Sequence, residues 1–240
     1  MMQRTRIKIC GLTREADVGA AVAAGVDAVG FVLYDKSPRY VTIARAAELS
    51  RDLPPFVTPV LLFVNEASDK IRAACAAIPA ATLQFHGDET PAQCLAATDA
   101  GNRAFLRAAR IPRGEAGRHF DLIEYALAYS EAQAILLDAH VKGYGGAGQT
   151  FNWSLLPPNV NAHVVLSGGL NAANVADGIL QLRPRCKSLA VDVSSGVEIS
   201  GPSKQGLKDP EKIHRFVAAV RAADRQFENL AGQSAVTPSE

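Results

Sequence analysis

The chain has 240 residues and a formal net charge of +1, with 48% hydrophobic and 20% charged residues. A balance so near neutrality gives no electrostatic reason to expect nucleic acid or an anionic membrane as partner. The first residues, Met1 to Arg6, carry charge with no apolar run behind it, unlike a secretory leader. The apolar stretch from Ala20 to Leu33 is broken by Gly25 and Asp27 and is too short to cross a bilayer, so the expected location is the cytoplasm. Cys10, Cys75, Cys94 and Cys186 form no CxxC pair and no cysteine–histidine cluster at zinc spacing. They are expected to be free thiols, with no metal site.

Short β-rich apolar runs recur along the chain. Strands are predicted at Ile7–Cys10, Ala28–Leu33, Val60–Val64, Thr82–Phe85, Ala104–Arg107, Ala134–Asp138, Val164–Ser167 and Leu189–Val193. Several are apolar on both faces, as strands covered on both sides are. The stretches between them, such as Ile43–Leu49, Lys70–Ala77 and Ala172–Leu180, have helical spacing, and a last helix is predicted from Pro210 to Ala223. Eight alternating units in a chain of this length predict a single (β/α)₈ TIM barrel, with an open doubly wound sheet as the structural alternative. No linker divides the chain; one domain is expected over residues 1–230, followed by a small, polar, disordered tail from 231 to 240.

The first predicted strand alternates Arg6, Lys8 and Cys10 on one face with Ile7 and Ile9 on the other. It ends on a thiol, and Gly11 and Thr13 suit a turn and a helix cap. A cysteine at the carboxyl end of a strand, aimed at a helix N-terminus, sits where parallel α/β folds keep their chemistry and where a thiolate is favoured. Ser167-Gly168-Gly169-Leu170 and Asp192-Val193-Ser194-Ser195-Gly196 end two consecutive strands in small, donor-rich loops that suit a phosphate. Asp138 ends an apolar strand, where a buried carboxyl tends to keep its proton and can act as an acid, or else caps a turn. Arg39, in Ser37-Pro38-Arg39-Tyr40, suits a substrate carboxylate or simply solvent. His86, taken alone, reads as a structural hydrogen-bonding residue. Gly143, Gly145 and Gly148 spell GxGxxG, but no acidic residue ends the next strand and Pro157 and Pro158 curtail any helix; Lys142–Thr150 reads as a lid over the barrel mouth.

Taken as an ordered set, Lys8-Ile9-Cys10-Gly11-Leu12-Thr13, Ser37-Pro38-Arg39, Gln84-Phe85-His86-Gly87-Asp88-Glu89, Leu137-Asp138, Ser167-Gly168-Gly169-Leu170 and Asp192-Val193-Ser194-Ser195-Gly196-Val197-Glu198 resemble the phosphoribosylanthranilate isomerase family. The resemblance spans about Arg6 to Asp224. It implies a cytoplasmic (β/α)₈ barrel that carries out an Amadori rearrangement in tryptophan biosynthesis, on a small phosphorylated substrate and without metal or cofactor. It implies Asp138 as general acid and Cys10 as general base. Arg39 would hold the anthranilate carboxylate, and Gly168, Gly169, Ser194, Ser195 and Gly196 the phosphate. His86 and Asp192 match positions near the site. A monomer is expected, with a homodimer as the alternative.

A free thiol is only a few per cent ionised at neutral pH, so the N-terminus of the following helix and Lys8 are expected to stabilise the Cys10 thiolate. The connection Ile199–Lys208 is a little longer than the family's usual link, which bears on the shape of the phosphate loop. The related histidine-pathway isomerase resembles this barrel but carries aspartate where Cys10 stands. A non-catalytic phospho-ligand-binding barrel would keep the glycine loops without needing both Cys10 and Asp138.

Overall fold

Eight parallel strands close into a barrel, each paired with the next and the last with the first. The computed structural model describes residues 4–99, 101–112, 114–139, 152–153, 156–201 and 204–234. In chain order the elements are β1 (Arg6–Cys10), α1 (Glu15–Ala23), β2 (Ala28–Val32), α2 (Ile43–Ser50), β3 (Thr58–Phe63), α3 (Ser68–Ala77), β4 (Thr82–Phe85) and α4 (Pro91–Ala97). They continue with β5 (Phe105–Ile111), α5 (Leu122–Ala128), β6 (Ala134–Ala139), β7 (His163–Leu166), α6 (Val175–Leu182), β8 (Ser188–Val193) and α7 (Pro210–Ser234). Each predicted strand overlaps an observed one. Closure is made by β1 and β8, from Arg6 opposite Ala190 to Ile9 opposite Val193, which excludes the open sheet. The lid expected at Lys142–Thr150 lies outside the described residues.

The alternation of strand side chains makes two separate interiors. Outward-facing residues such as Ile7, Ile9, Val29, Phe31, Leu61, Phe63, Leu83 and Leu137 pack under the helices in the main core. Each such side chain, fully buried, contributes roughly 1.5–3 kcal/mol. Inside the barrel, Ala108, Leu136 and Val165 fill one layer, with Ala134 and Ala190 against them. Cys10, Val32, Leu62 and Val64 form a second cluster, with Tyr34 against it. Buried Lys8 and Asp192 also meet in the interior, Nζ to Oδ1 at 2.8 Å.

Helix starts follow local chemistry. Thr42 accepts from Arg45 N at the head of α2. Thr90 and Gln93 form a reciprocal capping box on α4 with Pro91 just inside, and Asp121 caps α5 through Ile123 and Glu124. Thr13 does not cap α1, contrary to expectation. The helix starts later, with Arg14 at the N-cap position and no side-chain cap bond. There the Arg14 guanidinium reaches Asp17 of the first turn at 2.6 Å. Helix α7 runs on to Ser234, past the predicted end of the last helix at Ala223. Phe227 extends the helix contacts past Ala223, with the Arg183 guanidinium 5.1 Å from its ring centre. Residues 235–240 lie outside the described part.

Candidate active site

A cavity of about 680 Å³, open to solvent, occupies the carboxyl-terminal mouth of the barrel. Its wall takes Cys10 from β1, Arg39 from the loop after β2, His86 just past β4 and Asp138 from β6. Ser167, Gly168 and Gly169 follow β7, Asp192 belongs to β8, and Ser194 and Ser195 follow it. Gly196, which the resemblance places with Gly168, Gly169, Ser194 and Ser195, stands behind this lining. It is where the two small loops touch: a Cβ there would lie 1.9 Å from the Leu170 carbonyl oxygen. Gly168 and Gly169 turn the chain after β7 at φ +76° and +66°, a conformation that glycine adopts without strain.

Cys10 is buried and lines the mouth of the barrel. A Cβ on Gly30 of β2 would sit 2.7 Å from its Sγ and 3.0 Å from Lys8 Cε, so the missing side chain on β2 makes the space for both. Burial raises the Cys10 thiol above its ordinary value, while the neighbouring Lys8 ammonium pulls it down; burial wins. The expected support from Lys8 is therefore present but smaller than the cost of desolvation. Among the other thiols, burial pushes Cys94 and Cys186 up to about 11, as for packing residues.

Asp138 is held from two sides. His86 Nε2 lies 2.9 Å from Oδ2. On the other side a Cβ at Gly168 would come within 2.6 Å of Oδ1, so this oxygen lies against the β7 loop. His86 Nδ1 in turn lies 3.0 Å from Gln84 Nε2.

Arg39 is buried, and Glu198 Oε1 and Oε2 accept from its Nε and Nη2 at 2.6 and 3.0 Å. One edge of the guanidinium is thus committed within the protein. Lys208, fully buried, donates from Nζ to Glu198 Oε1, the Ser194 carbonyl and Ser194 Oγ at 3.0, 3.0 and 3.2 Å. Burial pushes the Glu198 carboxyl up, and Arg39 and Lys208 outweigh it, holding it below the usual carboxylate value. The longer connection after Ile199 is clamped at its base: Ile199 N donates to the Leu207 carbonyl and Asp209 N to that of Val197, both at 2.9 Å.

The cavity is divided in character. Val32, Tyr34, Leu62 and Val64 make an apolar side at β2 and β3, and the small loops after β7 and β8 make a polar side. Sequence reasoning did not anticipate the apolar side or the Arg39–Glu198–Lys208 framework. Both depend on which strands are neighbours, and alternation in β3 alone was the signal for Leu62 and Val64. Among the described residues no three histidine, cysteine, aspartate or glutamate side chains gather as a metal site would require. No described helix is long and apolar enough to cross a membrane.

The family model for N-(5'-phosphoribosyl)anthranilate (PRA) isomerase matches residues 7–219. The chain belongs to this family. A relative from Methylibium petroleiphilum, named N-(5'-phosphoribosyl)anthranilate isomerase, is 62% identical over 221 residues, which span 92% of this chain and 96% of the relative. The crystal structure of phosphoribosyl anthranilate isomerase from Thermotoga maritima matches with a TM-score of 0.77 at 38% identity, covering 91% of this chain and 99% of that one. A crystal structure of the enzyme in complex with reduced 1-(o-carboxyphenylamino)-1-deoxyribulose 5-phosphate matches with a TM-score of 0.74 at 36% identity, over 91% of this chain and 99% of that one. Like its relatives in the family, the chain is an isomerase by descent.

Proposed function

We propose that the chain isomerises N-(5-phosphoribosyl)anthranilate to 1-(2-carboxyphenylamino)-1-deoxyribulose 5-phosphate, a cytoplasmic step of tryptophan biosynthesis. The division of the mouth cavity carries this reading. An aromatic acid fits the β2–β3 side, with its ring on Val32, Leu62 and Val64 and its carboxylate toward Arg39. A phosphate fits the opposite side, on the backbone N–H groups and hydroxyls around Gly168, Gly169, Ser194 and Ser195. A ribose joining the two then spans the middle of the mouth, between Cys10 and Asp138.

Two proton transfers complete the reaction. Asp138 gives a proton to the ribose ring oxygen, and the C1–O bond opens to an iminium. Cys10, as thiolate, takes the C2 proton; the electron pair left behind neutralises the iminium, and the enolamine tautomerises to the ketone. The positive iminium favours the thiolate at the moment it is needed, offsetting the burial that raises the resting thiol. Asp192 serves this arrangement by accepting a hydrogen bond from Lys8 Nζ at 2.8 Å, which keeps the ammonium near the thiol.

The test is to generate phosphoribosylanthranilate in situ and follow the loss of its fluorescence on adding protein. Turnover is expected, and Cys10→Ser and Asp138→Asn should each lose it by about 10²–10⁴-fold while still binding a reduced product analogue. Decay no faster than the spontaneous background would overturn the reading.

A further inference from the structure

Arg107 and Glu89 form a buried ion pair that the proposed reaction does not use, Nη1 to Oε2 at 3.0 Å. Ala108, the next residue of β5, faces the barrel interior, so Arg107 faces outward, and it does not line the mouth cavity. Its guanidinium lies 4.9 Å from the ring centre of Tyr129 and 5.9 Å from that of Tyr125. The pair by itself adds little to stability, because the cost of desolvating both charges offsets their attraction.

What the pair does hold is the backbone on both sides of His86. β4 ends at Phe85, and there Arg107 Nη1 donates to the Phe85 carbonyl at 3.0 Å and Nη2 to the Gly87 carbonyl at 3.1 Å. Glu89 Oε2 accepts from Gly87 N at 2.9 Å, and Oε1 accepts from Asn65 N, in the loop after β3, at 2.7 Å. The two loops are in contact, since a Cβ on Gly87 would lie 2.8 Å from Asn65 N. His86 N donates to the Phe63 carbonyl at 2.9 Å. From this fixed backbone the His86 ring reaches Asp138 at 2.9 Å. The planar fork of arginine spans the two carbonyls and Glu89 together; a lysine would keep the charge without the fork.

We propose that Arg107 is a positioning residue for the reaction: from outside the barrel it fixes the backbone on either side of His86, and thereby the imidazole that orients Asp138. The inference rests on the reading of Asp138 as the general acid.

The test is a double-mutant cycle between Arg107→Lys and His86→Gln, on protein shown by thermal melts to be folded. Arg107→Lys should lower kcat about tenfold and change KM less than about threefold, as misplacement of a catalytic group does. Added to His86→Gln, which has already removed the ring that Arg107 sets, it should cost less than about threefold more. A general loosening of the fold does not depend on His86, so a tenfold loss in both backgrounds overturns the proposal, as does an unchanged kcat in folded Arg107→Lys. If Arg107→Lys does not fold, Glu89→Gln, which weakens the hold on Arg107 and Gly87, takes its place in the cycle with the same outcomes. Failure of the acid reading looks different: undiminished turnover in Asp138→Asn would remove that role. The positioning itself is read without turnover, from the ¹⁵N-NMR signals of the His86 ring, identified by their loss in His86→Gln. They should move in Arg107→Lys, and signals left at their native positions overturn the proposal.

Discussion

Lys8 and Cys10 share the inner face of β1, and Gly30 leaves room for both. The ammonium lowers the thiol against the burial that raises it, which sets a sign for the pH dependence. A thiolate base works above its pKa, so the rate rises with pH through the titration of Cys10. Removing the Lys8 charge moves that rise to higher pH. Replacing Lys8 alone would strand Asp192 in the barrel, so the informative variant is Lys8→Met with Asp192→Asn, which removes both buried charges together. Asp192 raises the thiol less than Lys8 lowers it, so the acid limb of kcat/KM should still move upward, though by less than the loss of Lys8 alone would give. An unshifted or lowered limb would show that Lys8 does not outweigh Asp192 at the thiol. At this scale Cys10 and Asp138 were legible because a strand ending in a thiol or a carboxyl is visible in sequence. Gln84 was not, because its partner His86 becomes informative only once β6 brings Asp138 to the same face.

At the scale of elements, the loop after β2 and the connection between β8 and α7 are joined through Arg39, Glu198 and Lys208. Glu198→Gln weakens the clamp on Arg39 while keeping its shape. KM should rise about tenfold with a smaller change in kcat, because Arg39 is asked to bind rather than to transfer protons. The stability side has its own sign. Glu198 is depressed in the folded protein, so its contribution is full above the ordinary carboxylate value of about 4.3 and is lost as pH falls through the lower folded value. The gap in Tm between the native chain and Glu198→Gln should therefore be constant from about pH 7 to 5 and close below about pH 4. A gap that persists at lower pH would contradict this. The eight strands were readable because each is a run of β-branched and large apolar residues. The start of α1 was misjudged because Thr13 is a good cap in isolation, whereas Arg14 and Asp17 settle the first turn between themselves.

For the molecule as a whole, closure of the barrel is backed by a polar knot outside it. Asp224 of α7 accepts from Thr5 N at 3.0 Å and Thr5 Oγ1 at 2.6 Å, and also receives the Arg183 guanidinium, tying the chain before β1 to α7 and to the end of α6. Asp224→Ala leaves the partly buried Arg183 guanidinium without its carboxylate and should cost about 3 kcal/mol. For a chain of this size that is a fall in Tm of roughly 6–12 °C. Turnover of the folded fraction should be preserved, since the knot is made by residues that do not line the mouth cavity. A thermal melt paired with an activity assay checks both.

The contact between Gly196 and Leu170 bears on how the molecule spends its binding energy. Because the loops after β7 and β8 meet backbone to backbone, they are set by the same folding event that closes the barrel. The entropy of ordering the proposed phosphate cradle is then lost once, during folding, and not again at each encounter. A phosphate that finds its donors in place releases free energy that is not consumed in arranging them. That surplus is available at the other end of the same substrate, to hold the ribose in the conformation from which its ring opens.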